Sequence, residues 1–132
     1  MDNCIFCKII KNEVPSEKVF ENKDFLAFLD INPVSHGHVL IIPKKHIVWM
    51  QEADDETIGE IFKIAKKLML AIKKGLGCNY ISVSVAGTDI PHFHVHLTPR
   101  YFDDGLNSWP TKKYKEGEDK EYAQKIISSI TA

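Results

Sequence analysis

The chain has no apolar run approaching the length of a membrane span, and its start, Met1-Asp2-Asn3-Cys4, lacks the basic segment and apolar stretch of an export signal. Cysteine is scarce. There are 3 in 132 residues, an odd number, with two of them in Cys4-x-x-Cys7. That usage argues against a disulfide scaffold and fits a reducing compartment, so the cytoplasm is the expected location. An excess of charge is missing too: 17 Lys and Arg stand against 18 Asp and Glu, which leaves no electrostatic footprint for a long nucleic acid. A small phosphorylated ligand needs no such footprint. Internal repeats and low-complexity segments are absent, and the length predicts one domain over residues 1–132.

The pattern along the chain predicts an α+β architecture. Cys4 to Lys11 reads as a short helix closed before Pro15. Glu17–Glu21 and Asp24–Asp30, separated by Asn22-Lys23, read as a hairpin. His38 to Pro43 is a β-branched run typical of a strand buried on both faces. Asp54 and Asp55 cap a long helix whose apolar face is Ile58, Ile61, Phe62, Ala65, Leu68, Met69, Ile72 and Leu76, with Gly75 and Gly77 ending it. Lys63, Lys66, Lys67, Lys73 and Lys74 read as its solvated face, and Cys78 as ordinary core. Tyr80–Val85 and His92–Tyr101 are two further strands joined by a Gly-bearing loop. Phe102–Gly117 is irregular by composition, and Tyr122, Ile126 and Ile130 predict a helix over 119–130. The expected fold is an antiparallel sheet of about five strands with one long helix, a short N-terminal helix and a C-terminal helix, the helices covering one face.

What is abundant is histidine in one place. His92-Phe93-His94-Val95-His96-Leu97 sets imidazoles at every second position, which in an extended chain places them in one row with Phe93, Val95 and Leu97 beneath. Neighbouring imidazolium ions disfavour one another, so a row of three is costly without a purpose. His36 and His38 lie in a second cluster upstream. Three readings stand. Alternate histidines can aim two nitrogens at a metal ion. A neutral imidazole can attack phosphorus and form a covalent intermediate, while its neighbours orient it and supply a proton or positive charge. The third is a polar sheet face without function. The second histidine cluster favours the phosphorus chemistry.

The segment Gly87-Thr88-Asp89-Ile90-Pro91-His92-Phe93-His94-Val95-His96-Leu97-Thr98 resembles the motif of the histidine triad (HIT) family. Cys4-Ile5-Phe6-Cys7-Lys8-Ile9, Phe28-Leu29-Asp30-Ile31-Asn32-Pro33 and Gly37-His38-Val39-Leu40-Ile41-Ile42-Pro43-Lys44-Lys45-His46 are similar to that family's N-terminal half, in the same order. The resemblance runs from about residue 4 to 101, with 102–132 as a C-terminal extension. It implies a hydrolase that cleaves a nucleoside 5′-phosphoramidate, acyl-nucleotide or dinucleoside polyphosphate through a nucleotidyl-histidine, with a purine nucleotide as substrate and a homodimer as assembly. His94 matches the nucleophile, His96 the phosphate and leaving-group partner, His92 the supporting histidine and His38 one beside the phosphate. Asp30 matches the acid that accepts the ribose hydroxyls, Ile31 and Phe6 would flank the base, and Gly87 and Thr88 fall in the phosphate-binding segment.

Members with an N-terminal Cys-x-x-Cys suggest a structural zinc held here by Cys4, Cys7, His46 and His92. No organic cofactor is implied. The chain departs from the common Gly-Gln-Ser pattern at Thr88 and Asp89, and an acid beside an anionic substrate predicts that Asp89 points away or serves the leaving group. A nucleotide-binding regulatory or interaction module with little turnover is the alternative of a different class.

Overall fold

The computed structural model describes residues 3–106 and 110–130. Along the chain come α1 (Ile5–Ile10), β1 (Lys18–Glu21), β2 (Phe25–Leu29), β3 (Val39–Pro43), α2 (Asp55–Leu76), β4 (Tyr80–Ser84), β5 (Val95–Arg100) and α3 (Glu118–Ser129). The strands form one antiparallel sheet in the order β1-β2-β3-β5-β4, as the α+β expectation required.

Asn22 makes the first hairpin turn: its Oδ1 accepts the amides of Asp24 and Phe25 at 3.0 and 2.8 Å. The two central strands β2 and β3 are apolar at successive positions, and a strand sends alternate side chains to opposite faces. Phe25, Ala27, Val39 and Ile41 therefore enter one core with Ile61, Ile64, Ala65 and Leu68 of α2. Leu26, Phe28, Leu40 and Ile42 enter a second core with Phe6, Cys7 and Ile9 of α1. The helices thus cover both faces, not one. A β3 buried along its whole length demanded this, because α2 alone reaches only half of its side chains.

Helix α2 begins where Asp54 Oδ1 accepts the Thr57 amide at 2.8 Å, and it stops at Gly77, which takes a left-handed conformation with φ of 69°. Gly75 lies inside the last turn. Ile64 joins the buried face, whereas Leu76 stays half-exposed at the helix end. There Leu76 meets Gly37 so closely that a Cβ at Gly37, whose φ is +95°, would overlap its side chain. This contact anchors the loop that delivers His38 into β3.

The strand expected to start at His92 joins the ladder only at Val95. Continuing the β3 pairing would set Phe93 against Pro43, which has no N–H to donate. Instead the Phe93 amide donates to Ile47 O at 2.6 Å, and Pro43 O accepts from Nε2 of His92 at 2.8 Å. The alternation of side chains survives this change. Phe93, Val95 and Leu97 pack in the α2 core, and the imidazoles face the other way.

Past β5, Arg100 grips Asp104 with bonds of 2.6 and 3.2 Å, and this guanidinium, with the Leu106 and Tyr101 amides, holds the Asp104 carboxyl well below its usual range. The irregular stretch expected over 102–117 is irregular where described; residues 107–109 lie outside the described residues. In α3, Tyr122 and Ile126 are exposed, so the apolar stripe that predicted the helix does not bury against this chain. Among the described residues no helix is long and apolar enough to cross a membrane.

Candidate active site and metal centre

The turn entering β5 brings three histidines to the α1 side of the sheet. His92 and His94 are fully buried, and the Phe6 ring stands edge-on to both, with centroids 5.8 and 5.1 Å away. His96 follows on β5, with its ring centroid 4.7 Å from that of His94, and His38, the residue before β3, packs beside it at 5.2 Å. His36 is exposed and takes no part.

Backbone atoms assign a proton to each ring, because a neutral imidazole has one donor and one acceptor nitrogen. His94 Nδ1 lies 2.7 Å from His92 O and must donate to it, which leaves Nε2 with its lone pair free. That Nε2 is buried and has no hydrogen-bonding partner among the described residues. Asp89 Oδ1 lies 3.4 Å from it. His38 Nδ1 accepts the Val34 amide at 3.2 Å, so its Nε2–H points to His96 Nδ1, 3.0 Å away. The proton of neutral His96 is thereby sent to Nε2, the outward nitrogen. Burial pushes the pKa of both His38 and His96 down, opposed in each by the nearby Asp30 carboxylate.

Asp30 follows β2, and its Oδ1 accepts the Asn32 amide at 2.9 Å, while Oδ2 lies 3.9 Å from His38 Nε2. The carboxyl is on the wall of a cavity of 320 Å³ between α1 and the β2–β3 face. Phe6, Phe28 and Leu40 supply apolar wall, Ile31 stands at its exposed rim, and Asp89 and Ile90 close the end toward the triad. This is a concave, mostly apolar chamber with a carboxylate at its edge, the form expected of a small-molecule site. Ser16 also lines it, and its hydroxyl is buried without a partner among the described residues. Sequence reasoning passed over Ser16, a lone serine after a proline with nothing in the pattern to distinguish it.

Gly87 is buried, with φ of +82° and the Trp49 ring 3.2 Å from where its Cβ would stand. A second cavity of 210 Å³ lies on that side, lined by Trp49, Met50, Val85, Gly87 and His94. Thr88 is exposed and lines neither cavity. Asp89 does not point away: it is turned toward His94 Nε2.

The fourth group lies on the far side of His92. Its Nδ1 is 3.3 Å from Cys4 Sγ and 3.6 Å from Cys7 Sγ, and His46 Nδ1 is 3.3 Å from Cys7 Sγ. Ligand atoms of all four residues lie within 4.8 Å of one another. Donors at about 2.3 Å (sulfur) and 2.0 Å (nitrogen) from a tetrahedral ion are about 3.5 Å apart, so the residues fit a closed two-thiolate, two-imidazole centre. Without an ion, burial and the adjacent Cys4 push the Cys7 thiol up, and burial lowers His92 to about 4 against the pull of the Pro43 carbonyl. A neutral His92 with Nε2–H on Pro43 O has its Nδ1 lone pair toward the sulfurs, the tautomer a metal requires.

A sheet that presents three alternating histidines beside a nucleotide-sized cavity defines a class, and the comparisons agree on it. The chain belongs to the HIT domain family, whose model matches residues 11–103. It is 36% identical over 135 residues to the adenosine 5′-monophosphoramidase of Schizosaccharomyces pombe, covering 97% of this chain and 98% of that one. The crystal structure of a HIT family member from Bacillus subtilis superposes with a TM-score of 0.87 at 34% identity, covering 98% of this chain and 99% of the other. A Zn-bound histidine triad family protein from Mycobacterium smegmatis matches with a TM-score of 0.77 at 26% identity, covering 97% and 99%.

Proposed function

We propose that the protein hydrolyses nucleoside 5′-phosphoramidates, with a purine nucleotide in the 320 Å³ cavity. The observation that carries this reading is the buried His94 Nε2, which has no hydrogen-bonding partner among the described residues and sits beside the wall that Asp89 shares with the nucleoside chamber. In this reading Asp30 accepts the ribose hydroxyls, and Phe6 and Ile31 flank the base. Gly87 and Thr88 supply phosphate contacts from the triad loop.

His94 Nε2 attacks the α-phosphorus and the P–N bond breaks with its electron pair going to nitrogen, which takes a proton from solvent while the His96 Nε2–H donates a hydrogen bond to it. The nucleotidyl-imidazole so formed carries positive charge, which the His92 carbonyl stabilises through Nδ1–H. Water then attacks phosphorus, returns a proton to solvent and releases the nucleoside monophosphate, with the electron pair going back to Nε2. Acyl-nucleotides and dinucleoside polyphosphates could enter by the same step.

A zinc ion held by Cys4, Cys7, His46 and His92 would be structural, with all four positions filled by protein, and would lock His92 and the carbonyl it presents to His94. The Zn-bound relative supports this assignment. Exposed Leu70 on α2 and Val83 on the edge strand β4 offer apolar surface for a homodimer. The cysteine usage favours the cytoplasm.

The decisive experiment mixes wild type and His94→Ala with an adenosine phosphoramidate. Turnover by wild type, a trapped adenylyl group on His94 by mass spectrometry, and binding without turnover in the variant are the expected results. Wild type that binds nucleotide and never turns over would make the protein a regulatory nucleotide-binding module.

A further inference from the structure

Asp89 is an acid placed where the proposed reaction brings an anion. Its Oδ1 lies 3.4 Å from Nε2 of His94, and its side chain is 59% exposed. Within 4.0 Å the one basic side chain near its carboxylate among the described residues is His94, with His96 close enough to complete a three-residue cluster. A phosphorus atom approaching Nε2 brings its own oxygens to about the same distance, so the substrate must exchange for this carboxylate oxygen. The displaced group cannot go far. Asp89 belongs to the short loop between β4 and His92, and it also forms the triad end of the nucleoside cavity. A turn about its side-chain bonds leaves the carboxylate at the rim, beside the phosphoryl group and whatever departs from it.

We propose that Asp89 is a charge filter for the leaving group: it favours phosphoramidates whose departing amine carries a further positive charge and disfavours departing groups that are anionic, polyphosphates included. The inference rests on the phosphoramidase reading above and deepens it. A cationic leaving group gives the displaced carboxylate a partner of opposite charge. An anionic one adds a second repulsion to that of the phosphate, in a site whose other nearby carboxylate, Asp30, is already committed to the Asn32 amide and the His38 side. A carboxylate that served only to occupy the site before substrate arrives would instead weaken all phosphoramidates by one common factor.

The test uses three adenosine 5′-phosphoramidates of equal chain length, the amine ending in ammonium, methyl or carboxylate, with wild type, Asp89→Asn and Asp89→Ser. For wild type, kcat/KM for the ammonium compound should exceed that for the carboxylate compound by about tenfold or more at low salt, and the ratio should shrink in about 0.5 M salt. In Asp89→Asn it should fall to within about twofold, because the amide keeps the shape and loses the charge. A flat ratio in wild type, or one unchanged in both variants, overturns the filter; so does a uniform gain for all three compounds. Calorimetric affinities for the analogues with CH2 in place of the bridging NH give the same ratio without chemistry. Charge-ordered binding with no turnover of any phosphoramidate would sink the enzyme reading and leave the filter standing, whereas turnover with unordered binding would do the reverse.

Discussion

His38 Nε2 lies 3.0 Å from Nδ1 of His96, and the Val34 amide on the other nitrogen of His38 sets the direction of the proton between them. His38 is therefore a positioning residue: it makes His96 present N–H outward, toward a departing group. His38→Ala should lower kcat by about 10²-fold with a smaller change in KM, the size usual for a lost hydrogen-bond donor to developing charge. His38→Asn, which can still donate to His96 Nδ1, should recover part of that loss. A change confined to KM in both variants would assign His38 to binding only.

Acid should destabilise the fold through buried neutral histidines. Burial lowers His92 to about 4 and depresses His38 and His96 as well. Above the ordinary value of 6.5 both folded and unfolded forms are neutral, and the histidines contribute no pH dependence. Between 6.5 and about 4 the unfolded chain takes up protons that the folded His92 refuses, so stability falls as pH falls. The His92 shift alone corresponds to about 3 kcal/mol across that window. Denaturant midpoints of the zinc-free protein at pH 7.5, 6 and 5 measure it. A midpoint that is constant or rises toward pH 5 would contradict the buried neutral assignment.

Zinc removal should act on stability before chemistry. Native mass spectrometry of protein purified without chelator should give one zinc per chain, and Cys4→Ser or Cys7→Ser should lose it. The thermal midpoint should drop by about 10 °C or more in each variant and on chelation, while turnover at low temperature declines later. Immediate loss of turnover with an unchanged midpoint would place a metal in the chemistry instead.

How much of this was legible depended on whether the cause was local. The ends of α2 were readable because Asp54 and Gly77 act on the backbone beside them. The facing of the histidines was readable too, since a period of two persists through residues 92–94 even off the ladder. Where the ladder begins was not readable, because the Ile47 carbonyl that captures Phe93 lies 46 residues upstream. Likewise the aim of Asp89 toward His94 depends on how the loop after β4 closes over the sheet. Asp30, Phe6 and Ile31 do share one cavity, yet Ser16 joined them only once α1 had folded across β2 and β3.

Ser16 offers the sharpest separation of binding from stability. Its hydroxyl is buried in the wall of the nucleoside cavity with no partner among the described residues. A base in the cavity has ring nitrogens and exocyclic groups that can pair with it. Ser16→Ala should leave the stability of the ligand-free protein within about 0.5 kcal/mol and weaken nucleoside monophosphate binding by about fivefold to tenfold. Thermal melts with and without nucleotide measure both quantities in one titration. Loss of stability in the free variant would mean that the hydroxyl already has a partner, and unchanged affinity would mean that the base does not reach it.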